Sequence, residues 1–281
     1  MAGNSLSISI VGIGVRIHCD NPEVLAALTV NFDAMAASVD ARDLEYRVHA
    51  VGASGEINIA RLGSDFNATA KNLGELIYLL EGNLVVNLQL QRPDLMFLHA
   101  AVVGDNDTRE AHIFTGPSGA GKSTLCWGLL NHGFRYLSDE LAPVDLRNTS
   151  VAPYLHGLCL KAAPAHGYPL PHATLQSERG FHVPPSSMPA PFVPFDLPLR
   201  SVFFVEYLRG AVEPSIDEVG KAEAATRIYP NVLNALAHDN DGLEGALRLV
   251  RKLRCYRLTS GDLTKTCALV KDHLAITTTE R

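Results

Sequence analysis

The chain has 281 residues, 47% of them hydrophobic and 19% charged, with a net charge of −6 and a pI near 6.0. Its length exceeds the usual single domain, and it shows no internal repeat and no long polar tract, so a globular protein of more than one part is expected. The negative balance argues against the nucleic-acid backbone as main partner, because such binding needs a concentrated positive field.

Five scattered cysteines, Cys19, Cys126, Cys159, Cys255 and Cys267, form no CxxC pair and read as reduced thiols of a cytoplasmic protein. The apolar run at residues 8–15 is too short for a membrane span, and no basic residue precedes it as in a leader peptide.

In chain order, residues 6–17 alternate and are β-branched, which predicts a strand. Asn21 before Pro22 predicts the start of a helix through NPEVLAALTVNFDAMAA. EYRVHAV and EINIARL, split by Gly52 and ASG, predict a hairpin, and residues 69–90 have helical spacing. Residues 1–90 are therefore read as a small α+β domain, ending near QRPD, and residues 91–281 as a second domain.

In the second part, FLHAAVV, the polar turn GDNDTRE and AHIFT predict two strands. Then come the glycine-rich GPSGAGKST, a helix stopped at Gly133, and the short strand FRYLSDE. APVDLRNTSVAPYLHGLCLK reads as strand, turn, strand. Residues 164–198 hold nine of the sixteen prolines, which predicts an extended excursion without regular structure and a candidate substrate-contacting lid. The end reads as a strand SVFFVEYL, a helical segment over about residues 221–253, a strand CYRLT and a helix from Asp262.

GPSGAGKST satisfies the Walker A pattern G-x-x-x-x-G-K-[ST] at Gly116, Gly121, Lys122 and Ser123, between a predicted strand and a predicted helix. Gly116, Pro117, Ser118, Gly119, Ala120, Gly121, Lys122, Ser123 and Thr124 are the candidate nucleotide-binding residues: glycines admit close backbone approach and the helix start offers N–H groups to phosphate. Lys122 is the candidate for the outer phosphates and Ser123 for Mg²⁺. Asp139 and Glu140 end a strand seventeen residues past Lys122, which returns them beside a bound triphosphate. A carboxylate there can hold Mg²⁺, and its neighbour can take a proton from a hydroxyl substrate, with Asp139 preferred for the proton. His99 lies on the strand preceding the loop strand; by itself, a histidine in an apolar strand is usually a satisfied core residue.

Taken together, LHAAVV, FTGPSGAGKST and YLSDE resemble the catalytic core of HPr kinase/phosphorylase, and more closely the shorter HPr-kinase-related proteins, which include peptide serine kinases. The resemblance covers about residues 95–165 and carries over to His99, the loop from Gly116 to Ser123, and Asp139 with Glu140. It implies an α/β fold with α+β elements, similar to HPr kinase and phosphoenolpyruvate carboxykinase. It also implies an ATP- and Mg²⁺-dependent kinase acting on a serine of a protein or peptide, with homo-oligomeric assembly as a further expectation. Where the full-length enzymes carry glutamate and arginine around a glycine, this chain has Tyr154 and His156; Lys161 is a candidate compensating cation and equally a surface lysine.

The residues alone leave open a small-molecule kinase, and a regulatory protein that binds nucleotide without transferring phosphate. Arg248, Arg251, Lys252, Arg254 and Arg257 form a basic run that reads as a solvated helix face. His166, His172 and His182 have no common zinc spacing.

Overall fold

The computed structural model describes residues 4–38, 43–51, 55–164, 166–208, 210 and 213–279. The chain divides into two compact units: Met1–Arg92 with Leu155–Ala163 and Leu170–Ser187, and Pro93–Tyr154 with Pro164–Pro169 and Met188–Arg281.

The first unit opens with β1 (Ser5–Ile10) and β2 (Ile13–Cys19), an antiparallel pair. The single strand expected over residues 6–17 is thus a hairpin. Val11 and Gly12 are both left-handed, at φ 46° and 83°, the two-residue turn whose twist matches its strands. The apolar positions change phase between Ile10 and Val11, but the β-branched run continues through the turn and masks the reversal. Helix α1 (Pro22–Asn31) starts as the sequence implies, with Asn21 Oδ1 accepting from the Glu23 and Val24 amides at 2.9 and 3.0 Å. β3 (Leu44–Val51) and β4 (Glu56–Arg61) are the expected antiparallel pair; the turn read at Gly52 and ASG falls mostly on residues 52–54, outside the described residues. β5 (Asn67–Ala70) completes a sheet ordered β1-β2-β3-β4-β5, and α2 (Leu73–Gln91) buries Leu76, Leu80, Leu84 and Leu88 along one stripe. Glu81, buried on α2, accepts from Asn31 Nδ2 at 3.0 Å and lies 3.1 Å from His156 Nδ1.

The second unit begins with β6 (Met96–Gly104) and β7 (Ala111–Thr115), followed by α3 (Lys122–Asn131), β8 (Arg135–Ser138), β9 (Leu141–Asp145) and β10 (Ser150–Val151). The chain then contributes β11 (Leu158–Leu160), β12 (Leu175–Ser177) and β13 (Gly180–Val183) to the first unit, as a small antiparallel sheet ordered β11-β13-β12. The proline-dense stretch therefore contains a hairpin. Its prolines flank residues 172–183, which hold none, so the ladder loses no donor.

The second unit resumes with β14 (Leu197–Tyr207), β15 (Ser215–Glu218), α4 (Lys221–Ile228), α5 (Leu243–Lys252), β16 (Arg254–Ser260) and α6 (Leu263–Thr279). The helical segment expected over 221–253 is broken: Pro230 lies in a 3₁₀ turn after α4, and Asn240, Asp241 and Gly242 are consecutively left-handed.

The main sheet runs β10-β9-β6-β7-β14-β16-β15, with β8 also on β6. β7, β14 and β16 are parallel, and β6 runs against them. Met96, Leu98, Ala100, Val102, Val202 and Phe204 pack from one sheet face against Ala224, Ile228, Ala246 and Leu249 of α4 and α5. On the other face Phe114 stacks on Phe203 at 4.9 Å, and Phe203 and Tyr256 meet His273 of α6, beside which α3 lies. The result is three layers, helix on sheet on helix. Among the described residues, no helix is long and apolar enough to cross a membrane.

Candidate active site

β7 delivers the chain into residues 116–121 at its carboxyl end, and α3 leaves from there. Gly119 and Gly121 are left-handed, both at φ 86°, which glycine adopts at little cost. Gly116 lies against β14: a Cβ there would stand 2.7 Å from the Val205 carbonyl oxygen. The Ala120 amide donates to Pro117 O at 3.1 Å and the Leu125 amide to Gly121 O at 2.8 Å, closing the turn into the helix. No side chain caps α3, so its positive end and first-turn amides face the loop's concavity. Lys122 is buried, and its Nζ donates to Gly116 O at 2.8 Å and Pro117 O at 3.3 Å, across the loop it terminates. Pro117, Ser118, Gly119 and Thr124 are exposed, Ser123 is half-buried and Ala120 is buried.

β6 fixes where the acids stand. Thr115, the last residue of β7, pairs with Ala100, and the Ala100 amide donates to Glu140 O at 3.0 Å on the other side. The acid pair is therefore two strands from the base of the loop, roughly 10 Å. β8 and β9 share one register on β6, from Val102↔Ser138 to Met96↔Val144. A bulge at Leu137 precedes it, between Val103↔Tyr136 and Val102↔Ser138. The extra residue reverses the alternation. Leu137 stays in the α4/α5 core while Asp139 turns to the face of α3, where Tyr136 Oη donates to its Oδ1 at 3.0 Å. Asp139 is 3% exposed. Glu140 alternates to the opposite face and is exposed, and Ser138 Oγ accepts from the Glu140 and Leu141 amides to hold the corner.

His99 pairs with Leu141 and alternates with Leu98 and Ala100 of the α4/α5 core, so it shares the α3 face with Asp139. The two are diagonal neighbours, on the order of 7–8 Å apart. The His99 carbonyl accepts from Thr115 Oγ1 at 3.0 Å, tying β6 to the root of the loop. On α3, burial pushes the Cys126 thiol well up, and the Asp139 and Cys267 charges add to this.

Tyr154 is buried in the second unit, whereas His156 and Lys161 belong to the first. The basic run is divided: Arg248, Arg251 and Lys252 are on α5, while on β16 Arg254 donates to Thr277 O at 3.2 Å and Arg257 pairs with Asp217 at 3.1 Å.

Sequence reasoning missed three features. Tyr136 is one, since a residue three before Asp139 shares its face only across a bulge. Another is Arg227 of α4, which donates to Glu206 at 2.6 Å and Glu223 at 2.7 Å; both carboxylates push its pKa up. Its guanidinium also lies 6.0 Å from the Phe204 ring, and Phe204 pairs with Thr115 at the end of β7. The last is the chain at Val232, which bridges to Leu98 in the slot beside β6 that β7 vacates after Thr115. None of these has a motif that announces it.

No protein-family model matches the sequence. No curated protein matches it either. Among solved structures, this chain is similar to the HPr(Ser) kinase/phosphatase from Coxiella burnetii, at 11% identity and a TM-score of 0.35, over 64% of this chain and 97% of that one.

Proposed function

We propose that the chain is an ATP- and Mg²⁺-dependent kinase that transfers phosphate to a serine or similar hydroxyl of a protein or peptide. What supports this reading most is the bulge-set position of Asp139, on the face of α3 and two strands from the root of the loop. A glycine loop alone suits any nucleotide binder; a buried carboxylate on the same face adds a group able to work on an acceptor.

The open concavity of the loop and the uncapped start of α3 fit a polyphosphate. The amides of residues 117–123 and the Lys122 ammonium bind and orient it. Ser123 would hold Mg²⁺, which neutralises charge on the transferring phosphoryl group; of the acid pair, Glu140 faces away from α3 and Asp139 is kept for the proton. Asp139 accepts the proton of the attacking hydroxyl, with its Oδ1 fixed by Tyr136 and His99 beside it.

Incubation with γ-labelled ATP, Mg²⁺ and a seryl-peptide library tests this reading. Label is expected on serine, dependent on Lys122. Binding of ATP with no transfer to any serine, threonine or protein hydroxyl would contradict it.

A further inference from the structure

Between α4 and α5 the chain presents Leu233, Leu236 and Leu243 at 42, 88 and 45% exposure. Large apolar side chains that cluster in the open mark a contact surface. This one is built rigidly. Asn234, buried, accepts from the Phe97 amide at 2.9 Å and donates to Leu95 O at 2.8 Å, and the Leu233 amide donates to Phe97 O at 2.8 Å. A Cβ on Gly242 would come within 3.0 Å of Ala235 Cα, so Leu236 and Leu243 flank one close contact.

The segment itself carries charge of one sign. Asp239, Asp241 and Glu244 are exposed, and residues 233–247 contain neither lysine nor arginine. The position is also specific: Val232 bridges to Leu98, so the segment leaves the sheet beside β6, the strand that carries His99.

We infer that residues 233–244 dock the phosphate acceptor, a polypeptide segment that carries an apolar side chain and lysine or arginine near its serine. The inference rests on the kinase reading. The leucines supply burial and the three carboxylates supply selection by charge, which sets partner choice more than raw affinity.

A positional-scanning library of seryl peptides, with γ-labelled ATP, tests it. The wild type should favour members with leucine or phenylalanine together with lysine or arginine. Leu236→Glu should lower transfer to those members about tenfold or more, as loss of an anchoring contact does, with ATP affinity unchanged. Asp239→Lys combined with Asp241→Lys should move the preference toward acidic members. An unchanged preference in both variants would overturn the docking assignment and leave the kinase reading standing. So would a Leu236→Glu protein that loses self-association in sedimentation while transferring normally, since the patch would then join two copies of this chain. A wild type that binds ATP and labels no peptide or protein would overturn the kinase reading and this inference with it.

Discussion

Tyr136 and Asp139 lie three residues apart in sequence yet meet on one face of the sheet, with the phenol donating to the carboxylate at 3.0 Å. A regular strand would put them on opposite faces; the bulge at Leu137 brings them together. Asp139 is thereby held on the α3 side, where the glycine loop opens. Tyr136→Phe removes only the hydroxyl. It should lower kcat about tenfold, less than the roughly 10²–10⁴-fold of a general base itself because Asp139 remains, and leave the KM for ATP nearly unchanged. Steady-state kinetics check this. A rise in KM at constant kcat would mean that Tyr136 serves binding instead.

Gly116 should resist even the smallest side chain. A Cβ would stand 2.7 Å from the Val205 carbonyl, which is fixed in the β14 ladder. Gly116→Ala should destabilise the fold by about 1–3 kcal/mol, as overpacking does, and weaken ATP binding. Calorimetry and nucleotide titration on one preparation read both effects. An unshifted Tm would show that the loop and β14 are less tightly apposed than described.

His112 gives the fold a predictable acid sensitivity. It is buried with Nδ1 2.8 Å from Ser201 Oγ, and its Nε2 has no hydrogen-bond partner among the described residues. Burial pushes its pKa down from 6.5 to about 4. The unfolded chain therefore binds a proton that the folded chain refuses between those values. Stability from this group falls as pH drops from about 6.5 to about 4 and levels off below, a loss on the order of 3 kcal/mol. Urea unfolding at stepped pH should show a shallower fall for His112→Gln than for the wild type. Equal slopes would contradict the burial argument.

Local chemistry made part of this architecture legible. Asn21 with Pro22 announced α1, and Gly133 ends α3 with the Gly133 and Phe134 amides returning to Leu130 and Leu129. The glycine loop was readable because its backbone needs specific residues at fixed offsets. What escaped depends on partners distant in sequence. The turn at Val11 carries a β-branched residue at positive φ, against local preference, and is recognisable only once β1 and β2 pair. The bulge at Leu137 exists only relative to β6, so the sequence offers SDE without saying which acid turns toward α3. Likewise Arg227 comes alongside the end of β7 only through the pairing of β7 with β14.

The most direct test of the account is Asp139→Asn, measured for both phosphate transfer and ATP binding. The amide keeps the shape, and it still accepts from Tyr136 through its carbonyl, but it cannot take a proton at neutral pH. Turnover should fall on the order of 10²–10⁴-fold while ATP affinity in Mg²⁺ changes little, because the loop amides and Lys122 carry the phosphate binding. Wild-type turnover in Asp139→Asn, or loss of Mg²⁺-dependent ATP binding with turnover intact at saturating nucleotide, would contradict the role assigned to this carboxylate.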